Sequence, residues 1–194
     1  MLACVNASPN PSLSEFLARL RAAPLPAAGP RIVLVDGPAG SGKSTLANAL
    51  SAALGAPVIR GDDMYEGWEG LGLLWAVLGP QVLEPLARGE DAVFRRWDWV
   101  RGERAEEIRI SAAADAVVVE GVGVAQRLAR PHASLVVYVE APWEVRLARG
   151  LERDGEAMRE HWKRWQAVEE PFLLEEGVRD AADAVVDGTA PLPE

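Results

Sequence analysis

The 194-residue chain has very little cysteine and histidine. Cys4 is its only cysteine, so no disulfide can form within the chain, and we expect a reducing compartment, the cytoplasm. The two histidines, His132 and His161, lie in unrelated contexts and indicate neither a metal site nor a catalytic triad. Candidate chemistry must therefore come from carboxylates, lysine, arginine and backbone groups.

Long apolar runs and an excess of positive charge are also missing. No run approaches the ~20 apolar residues of a membrane span, and the first residues lack the basic-then-apolar order of a signal peptide. Asp and Glu number 29 against 20 Lys and Arg, a net charge of −9. This balance disfavours a nucleic-acid surface, which must neutralise phosphates. We expect a small-molecule partner, no nucleic acid and no membrane, in a monomer or a homodimer.

Short apolar runs alternate with helical stretches along the chain. We interpret residues 1–30 as a tail to about residue 11, a short helix capped by Ser12 or Ser14, and a linker; residues 31–194 form the main domain. We expect broken helices over 68–86 and a strand or hairpin edge over 94–100. The predicted buried strands are 31–36, 57–59, 116–120, 135–139 and 184–186. This alternation predicts an α/β fold, a mostly parallel five-stranded sheet flanked by helices, with ligands at the carboxyl ends of its strands.

One loop dominates the sequence, the stretch 37–44 that reads Gly-Pro-Ala-Gly-Ser-Gly-Lys-Ser. It matches the phosphate-loop pattern G-x-x-x-x-G-K-[ST] and lies between a predicted strand and a helix over 44–54, the context of a P-loop NTPase fold. Its backbone N–H groups would cradle phosphates, Lys43 would reach the β- and γ-phosphates, and Ser44 would hold Mg²⁺. The predicted nucleotide-binding residues are Gly37, Ala39, Gly40, Ser41, Gly42, Lys43, Ser44 and Thr45.

Acidic residues follow two more of the predicted strands. Asp62 and Asp63 come directly after the second strand, where they can hold Mg²⁺ through water or accept a proton from a substrate hydroxyl. The alternative is a helix N-cap with an acidic first turn. Glu120 ends the third strand, where a carboxylate can help to hold the metal. The predicted metal site is Ser44, Asp62 and Glu120, and the sequence does not divide the roles of the two aspartates.

Arg146, Arg149 and Arg153 are spaced to form one stripe on a helix. The stripe is either a solvated charged face or part of an arginine-bearing helical lid over about 146–165 that closes on the transferring phosphate. We expect at least one of the three arginines to contact phosphate.

Tryptophan is abundant, with seven residues in the chain. Most are expected to pack in the core or at interfaces. Trp97-Asp98-Trp99 is the exception, because flat rings beside a carboxylate can bind a planar or sugar-like substrate, although packing explains the segment equally well.

These motifs together resemble the uridine kinase-like P-loop kinases. The resemblance covers about residues 31–188 and rests on the phosphate loop, Asp62-Asp63-x-Tyr65, Trp97-Asp98-Trp99, Glu120-Gly121 and the arginine-bearing helix. It implies transfer of the γ-phosphoryl group of ATP, with Mg²⁺, to a hydroxyl of a small molecule. The residues it implies are Asp62 or Asp63 as the base, Lys43, Arg149 and Arg153 as further catalytic groups, and Asp62, Tyr65, Trp97, Asp98, Trp99 and Glu120 as the substrate site.

A nucleoside is the first acceptor that this resemblance implies, and a sugar or another alcohol metabolite is the second. The other class of function is a regulatory protein that binds ATP and switches conformation or hydrolyses it slowly.

Overall fold

The computed structural model describes residues 10–193, which are built around a five-stranded parallel sheet. Cys4 and the rest of the predicted tail up to residue 9 lie outside this range. The strands are β1 (Arg31–Asp36), β2 (Val58–Arg60), β3 (Ala92–Asp98), β4 (Glu103–Ile110), β5 (Ala116–Glu120), β6 (Leu135–Glu140) and β7 (Ala184–Asp187). The helices are α1 (Leu13–Ala22), α2 (Lys43–Leu54), α3 (Trp75–Val77), α4 (Glu84–Ala87), α5 (Trp143–Asp154) and α6 (Arg159–Glu176). Short 3₁₀ segments are Gly61–Asp63, Gly67–Leu73, Arg130–His132 and Glu156–Met158, and Leu78–Leu83 is π-helical.

The sheet has the strand order β2-β5-β1-β6-β7, and the predicted α/β fold with five parallel strands is confirmed. Its interior strands β5, β1 and β6 are apolar along most of their length because both faces of the sheet are covered. Glu120 is in register with Val35 of β1 on one side and with Arg60 of β2 on the other. The carboxyl ends of these three strands therefore meet at one edge, where the predicted acidic residues and the phosphate loop begin.

The N-terminal helix α1 packs on one face of the sheet. Phe16 and Leu20 are buried in the same core as Val33 of β1 and Leu46 and Leu50 of α2. The opposite face is covered by the segment 61–94 and by part of α6. Both faces of β1, the strand that leads into the phosphate loop, are therefore packed against other elements.

The start of α1 is fixed by two sets of hydrogen bonds. Ser12 is the cap, and it forms a capping box in which its side chain accepts from the Glu15 N–H while the Glu15 carboxylate accepts from the Ser12 N–H. Asn10, which sequence analysis assigned to a frayed tail, is buried and bonded: its side chain donates to the Asp187 carbonyl and accepts from the Asp187 N–H. The predicted tail is wrong at this residue, because a single Asn amide can pair with both backbone groups of a distant strand end.

Strands β3 and β4 form an antiparallel hairpin apart from the main sheet. The predicted 94–100 strand corresponds to β3. β4 was not predicted, because its many charged and few apolar residues hide the alternation of apolar and polar positions that marks a strand. The Asp98 side chain accepts hydrogen bonds from the N–H groups of Val100 and Arg101, so it builds the turn of the hairpin.

The predicted broken helices over 68–86 are present as the succession of 3₁₀, α, π and α segments between residues 67 and 87. Pro80 lies inside the π-helical part, where its missing N–H makes regular α-helical bonding impossible. Within residues 10–193 no single helix is long and apolar enough to cross a membrane. In this part of the chain the segments Gly67–Leu73 and Trp75–Ala87 reach that length and composition only when they are taken together, and they are bent at the break between them.

Candidate phosphate and acceptor site

The loop after β1 turns sharply at three glycines. Gly37, Gly40 and Gly42 have φ angles of +136°, +77° and +108°, which L side chains rarely adopt. A Cβ on Gly37 would lie 2.1 Å from the carbonyl oxygen of Val139, and one on Gly40 would lie 2.6 Å from that of Arg146. The loop leads directly into the N-terminus of the 12-residue helix α2, whose unpaired N–H groups and dipole favour an anion. Its backbone therefore fits a phosphate.

Asp36, the last residue of β1, holds the start of this loop. Its carboxylate accepts hydrogen bonds from the N–H groups of Gly37 (2.6 Å), Gly123 (2.8 Å) and Ala125 (2.7 Å). The side chain is fully buried, and burial raises the pKa of Asp36 to about 6 although these hydrogen bonds oppose the shift. Asp36 links the phosphate loop to the segment after β5, a role that no local motif indicates.

The predicted nucleotide-binding residues do not all face the same space. A cavity of about 650 Å³ is lined by Ala39, Gly40, Gly42, Lys43, Ser44 and Thr45. Gly37 and Ser41 do not line it, and the Ser41 side chain is fully buried. The Lys43 ammonium donates to the Pro38 carbonyl at 2.8 Å, so it is held inside the curve of the loop.

Ser44 and Glu120 meet at the edge of the sheet, as the predicted metal site requires. The Ser44 hydroxyl donates to Glu120 Oε1 at 3.1 Å, and the Arg60 guanidinium contacts the same oxygen at 2.7 Å. Hydroxyl and carboxylate oxygens are ligands that suit Mg²⁺, so the residues fit this ion. Among residues 10–193 no group of three or more His, Cys, Asp or Glu side chains could hold a metal. The ion would therefore need phosphate and water oxygens as well. Arg60 was not predicted.

A buried ion pair supports the phosphate loop from behind. The Glu169 carboxylate on α6 contacts the Arg146 guanidinium on α5 at 2.6 Å, and both side chains are at most 5% exposed. Glu169 Oε2 also accepts from the N–H of Ala39 in the loop, at 2.8 Å, and from the Trp165 indole at 2.7 Å. Arg146 is thus occupied in the core and is not the phosphate contact that its place in the stripe suggested. Glu169 carries no recognisable signal in the sequence, because it looks like one more acidic residue of an amphipathic helix.

The other two arginines of the stripe line the cavity. Arg149 donates to the carbonyl oxygens of Gly40 (3.2 Å) and Gly188 (2.9 Å), which holds it against the phosphate loop. Arg153 is 69% exposed and pairs with Asp154 at 2.7 Å, and this hydrogen bond raises the pKa of Arg153. Both cations are therefore placed beside the loop, and lid movement over 146–165 remains a prediction.

The structure separates the two aspartates that the sequence could not divide. Asp62 lines the cavity, whereas Asp63 lies outside its lining and is about half-buried near Arg96. Burial raises the pKa of Asp63. Asp62 is the aspartate that faces the phosphate loop, so the catalytic assignment of Asp63 is not supported.

Aromatic side chains form one wall of the cavity that the phosphate loop also lines. The aromatic residues that line the cavity are Tyr65, Trp68, Trp99, Trp162 and Trp165. Of the predicted Trp97-Asp98-Trp99 segment, only Trp99 lines it: Trp97 packs under the Arg104 guanidinium, and Asp98 is used in the hairpin turn. The cavity therefore supports the substrate-site prediction for Trp99, and a substrate contact by Trp97 or Asp98 stays a prediction that this lining does not support. The expectation that the other tryptophans pack in the core holds for Trp162 and Trp165, which are buried, yet both also line this cavity together with Trp68.

Comparison with known proteins places this site in a family. The model of the family described as the AAA domain matches residues 33–170, which include the phosphate loop, Asp62, Glu120 and Glu169. A possible uridine kinase from Bacillus stearothermophilus has a similar structure, with a TM-score of 0.56, 22% identity and coverage of 90% of this chain and 97% of that one. At this identity the similarity shows a shared fold.

Two curated proteins are similar in sequence. A cytidylate kinase from Natronomonas pharaonis is 30% identical over 66% of this chain, and a tRNA dimethylallyltransferase from Phenylobacterium zucineum is 34% identical over 66%. The matched regions span 60% and 44% of the length of those two proteins.

Proposed function

This chain belongs to the AAA domain family of P-loop proteins, and from that premise we propose that it transfers the γ-phosphoryl group of ATP to a hydroxyl of a small molecule. The observation that carries the proposal is the single cavity shared by the phosphate loop and Asp62. A phosphate site without an acceptor carboxylate would suit a nucleotide switch equally well. The similarity to a cytidylate kinase and to a possible uridine kinase supports the phosphotransferase class.

The phosphate end of the cavity would bind the nucleotide. The N–H groups of the loop and of the start of α2 would donate to the phosphates, and Lys43 would add a positive charge from within the loop. Ser44 and Glu120 would hold Mg²⁺, which neutralises phosphate charge when bound. Arg149 and Arg153 would stabilise the negative charge of the transferring group.

Asp62 would act on the acceptor. In the proposed step its carboxylate takes the proton of the acceptor hydroxyl while the hydroxyl oxygen forms a bond to the γ-phosphorus. The bond from that phosphorus to the bridging oxygen breaks, and ADP leaves with its electron pair. The aromatic wall would keep water out of the cavity, and this exclusion would suppress transfer of the phosphoryl group to water.

The test is the rate of ADP formation from ATP and Mg²⁺ with a panel of nucleosides, sugars and amino alcohols. We expect one acceptor class to raise the rate. We also expect Lys43→Ala and Asp62→Asn each to lower the stimulated rate by about 100-fold or more. Asp63→Asn is the matched control and should change it only a few-fold. ATP binding with no dependence on any acceptor would contradict the proposal and favour a regulatory switch.

A further inference from the structure

The aromatic wall contains four of the seven tryptophans of the chain, together with Tyr65. The Trp68 ring lies nearly perpendicular to that of Trp99, with centroids 5.6 Å apart, and to that of Trp165, at 5.9 Å. The ring of Tyr65 is tilted against Trp165 at 5.5 Å. Rings set at steep angles to one another form corners rather than a flat stacking surface.

The polar groups of most of these rings are already paired. The indole N–H groups of Trp99, Trp162 and Trp165 donate to the Asp62 carbonyl, the Asp154 carboxylate and the Glu169 carboxylate. The Tyr65 hydroxyl donates to the Val122 carbonyl, and burial raises its pKa well above the ordinary value, so it stays a neutral donor. The wall therefore offers mainly ring faces and edges to a ligand. A nucleobase would find few partners on these rings for its hydrogen-bonding edge, and recognition of a base depends on such partners.

One carboxylate beside this wall, that of Asp62, has no ion-pair partner among the described residues. Trp99 is clamped next to Asp62 by its indole hydrogen bond, and the Asp62 carboxylate makes no ion pair within residues 10–193. Arg153 pairs with Asp154, and Asp62 and Glu120 act on the same guanidinium from farther away. The Arg153 guanidinium also lies 5.8 Å from the centroid of the Trp162 ring, so the wall already accepts one cation. Aromatic faces beside an unpaired carboxylate attract positive charge.

We propose that the acceptor is an alcohol carrying an alkylated ammonium group, which the rings of Trp68 and Trp99 enclose beside Asp62. This rests on the proposed function, since it names the substrate class of the same site. An alkylated ammonium has a positive charge and few or no hydrogen-bonding groups, so it matches a wall of ring faces whose donors are occupied. The hydroxyl at the other end of such a molecule would reach towards the phosphate loop.

Binding can test this class without any phosphoryl transfer. Isothermal titration calorimetry with ADP and Mg²⁺ present would compare choline with 3,3-dimethyl-1-butanol, which has the same shape but no charge. Tetramethylammonium, which has no hydroxyl, is the third probe. We expect choline to bind about tenfold or more tightly than its neutral analogue, and tetramethylammonium to bind as well.

Trp99→Leu should weaken choline binding by about tenfold, whereas Trp143→Leu, which removes a tryptophan that does not line the cavity, should leave it unchanged. Thermal melting of each variant would show whether it is folded, and the comparison of probes on the unaltered chain does not depend on any variant. Equal binding of choline and its neutral analogue, no binding of either, or tighter binding of cytidine or uridine would overturn the inference.

The outcome separates the two proposals. If ammonium compounds bind but no acceptor raises the rate of ADP formation, the proposed ligand class is supported and the proposed phosphoryl transfer is contradicted. If nucleosides raise the rate of ADP formation and ammonium alcohols do not, the proposed phosphoryl transfer is supported and the proposed ligand class is contradicted.

Discussion

Replacing Glu169 with alanine removes the closest partner of a buried guanidinium. Arg146 is 4% exposed, and after the change its remaining carboxylate would be Glu170, which lies 3.2 Å away and is 54% exposed. The N–H of Ala39 and the indole of Trp165 would lose their acceptor at the same time. Leaving one charge of such a pair buried costs about 3–5 kcal/mol.

This destabilisation is large enough to measure directly. For a chain of this size it corresponds to a fall in Tm of about 6–20 °C, which circular dichroism during heating would detect. Glu170→Ala is the matched control, since it removes an exposed partner of the same guanidinium and should cost less than about 1 kcal/mol. The double variant Arg146→Met, Glu169→Met should recover much of the loss because it leaves no charge unpaired.

Glu169→Gln separates the loop contact from the ion pair. Its side-chain oxygen can still accept from the Ala39 N–H but lacks the charge that pairs with Arg146, so we expect nucleotide binding close to that of the unaltered chain and a smaller loss of stability than in Glu169→Ala. Equal stability of the Glu169→Ala and Glu170→Ala variants would refute the reasoning, because it would mean that burial of the Arg146–Glu169 pair has no energetic consequence.

Two further predictions concern the loop. Gly40→Ala should abolish nucleotide binding in a calorimetric titration, because its Cβ would lie 2.6 Å from the Arg146 carbonyl oxygen and its φ is +77°. Gly72→Ala is the control: a Cβ there meets open space, so this variant should bind nucleotide normally. Retained binding by Gly40→Ala would show that the crowding at this position is tolerated. Asp36 should titrate near pH 6 in a carboxyl ¹³C NMR experiment. Since its folded pKa is raised, its contribution to stability is complete below about pH 4 and is lost as the pH rises through 6, by about 3 kcal/mol. A midpoint below pH 4 would mean that its three hydrogen bonds outweigh burial.

The parts of the fold that sequence analysis predicted are those with a local signal. Apolar runs such as 116–120 and 135–139 can be recognised because a strand buried on both faces needs apolar residues throughout. The phosphate loop is recognisable because its glycines and Lys43 must stand at set spacings for their backbone to surround an anion. The meeting of Ser44 and Glu120 then follows from strands whose carboxyl ends share one edge.

The predictions from the sequence were incomplete where a residue acts through a partner far along the chain. Asp36 and Glu169 look like ordinary acidic residues, yet both are buried and bond backbone groups of the loop region. β4 was missed because five of its eight residues are charged and its core contacts come from Ile108 and Ile110 at one end, which is too short a pattern to show a clear alternation. Trp97 and Trp99 are two residues apart, and only the hairpin geometry decides that Trp99 alone lines the cavity.

The amino-acid sequence by itself determined the parallel α/β fold, the phosphate loop and its place at the edge of the sheet, because periodicity and glycine requirements are local properties of the chain. Only the tertiary structure decided that Asp62 and not Asp63 faces the loop, that Arg146 is paired in the core, and that four tryptophans from three segments form one wall. Those outcomes depend on which distant segments pack together, and a side chain's partner across the fold leaves no mark on its own neighbours in sequence.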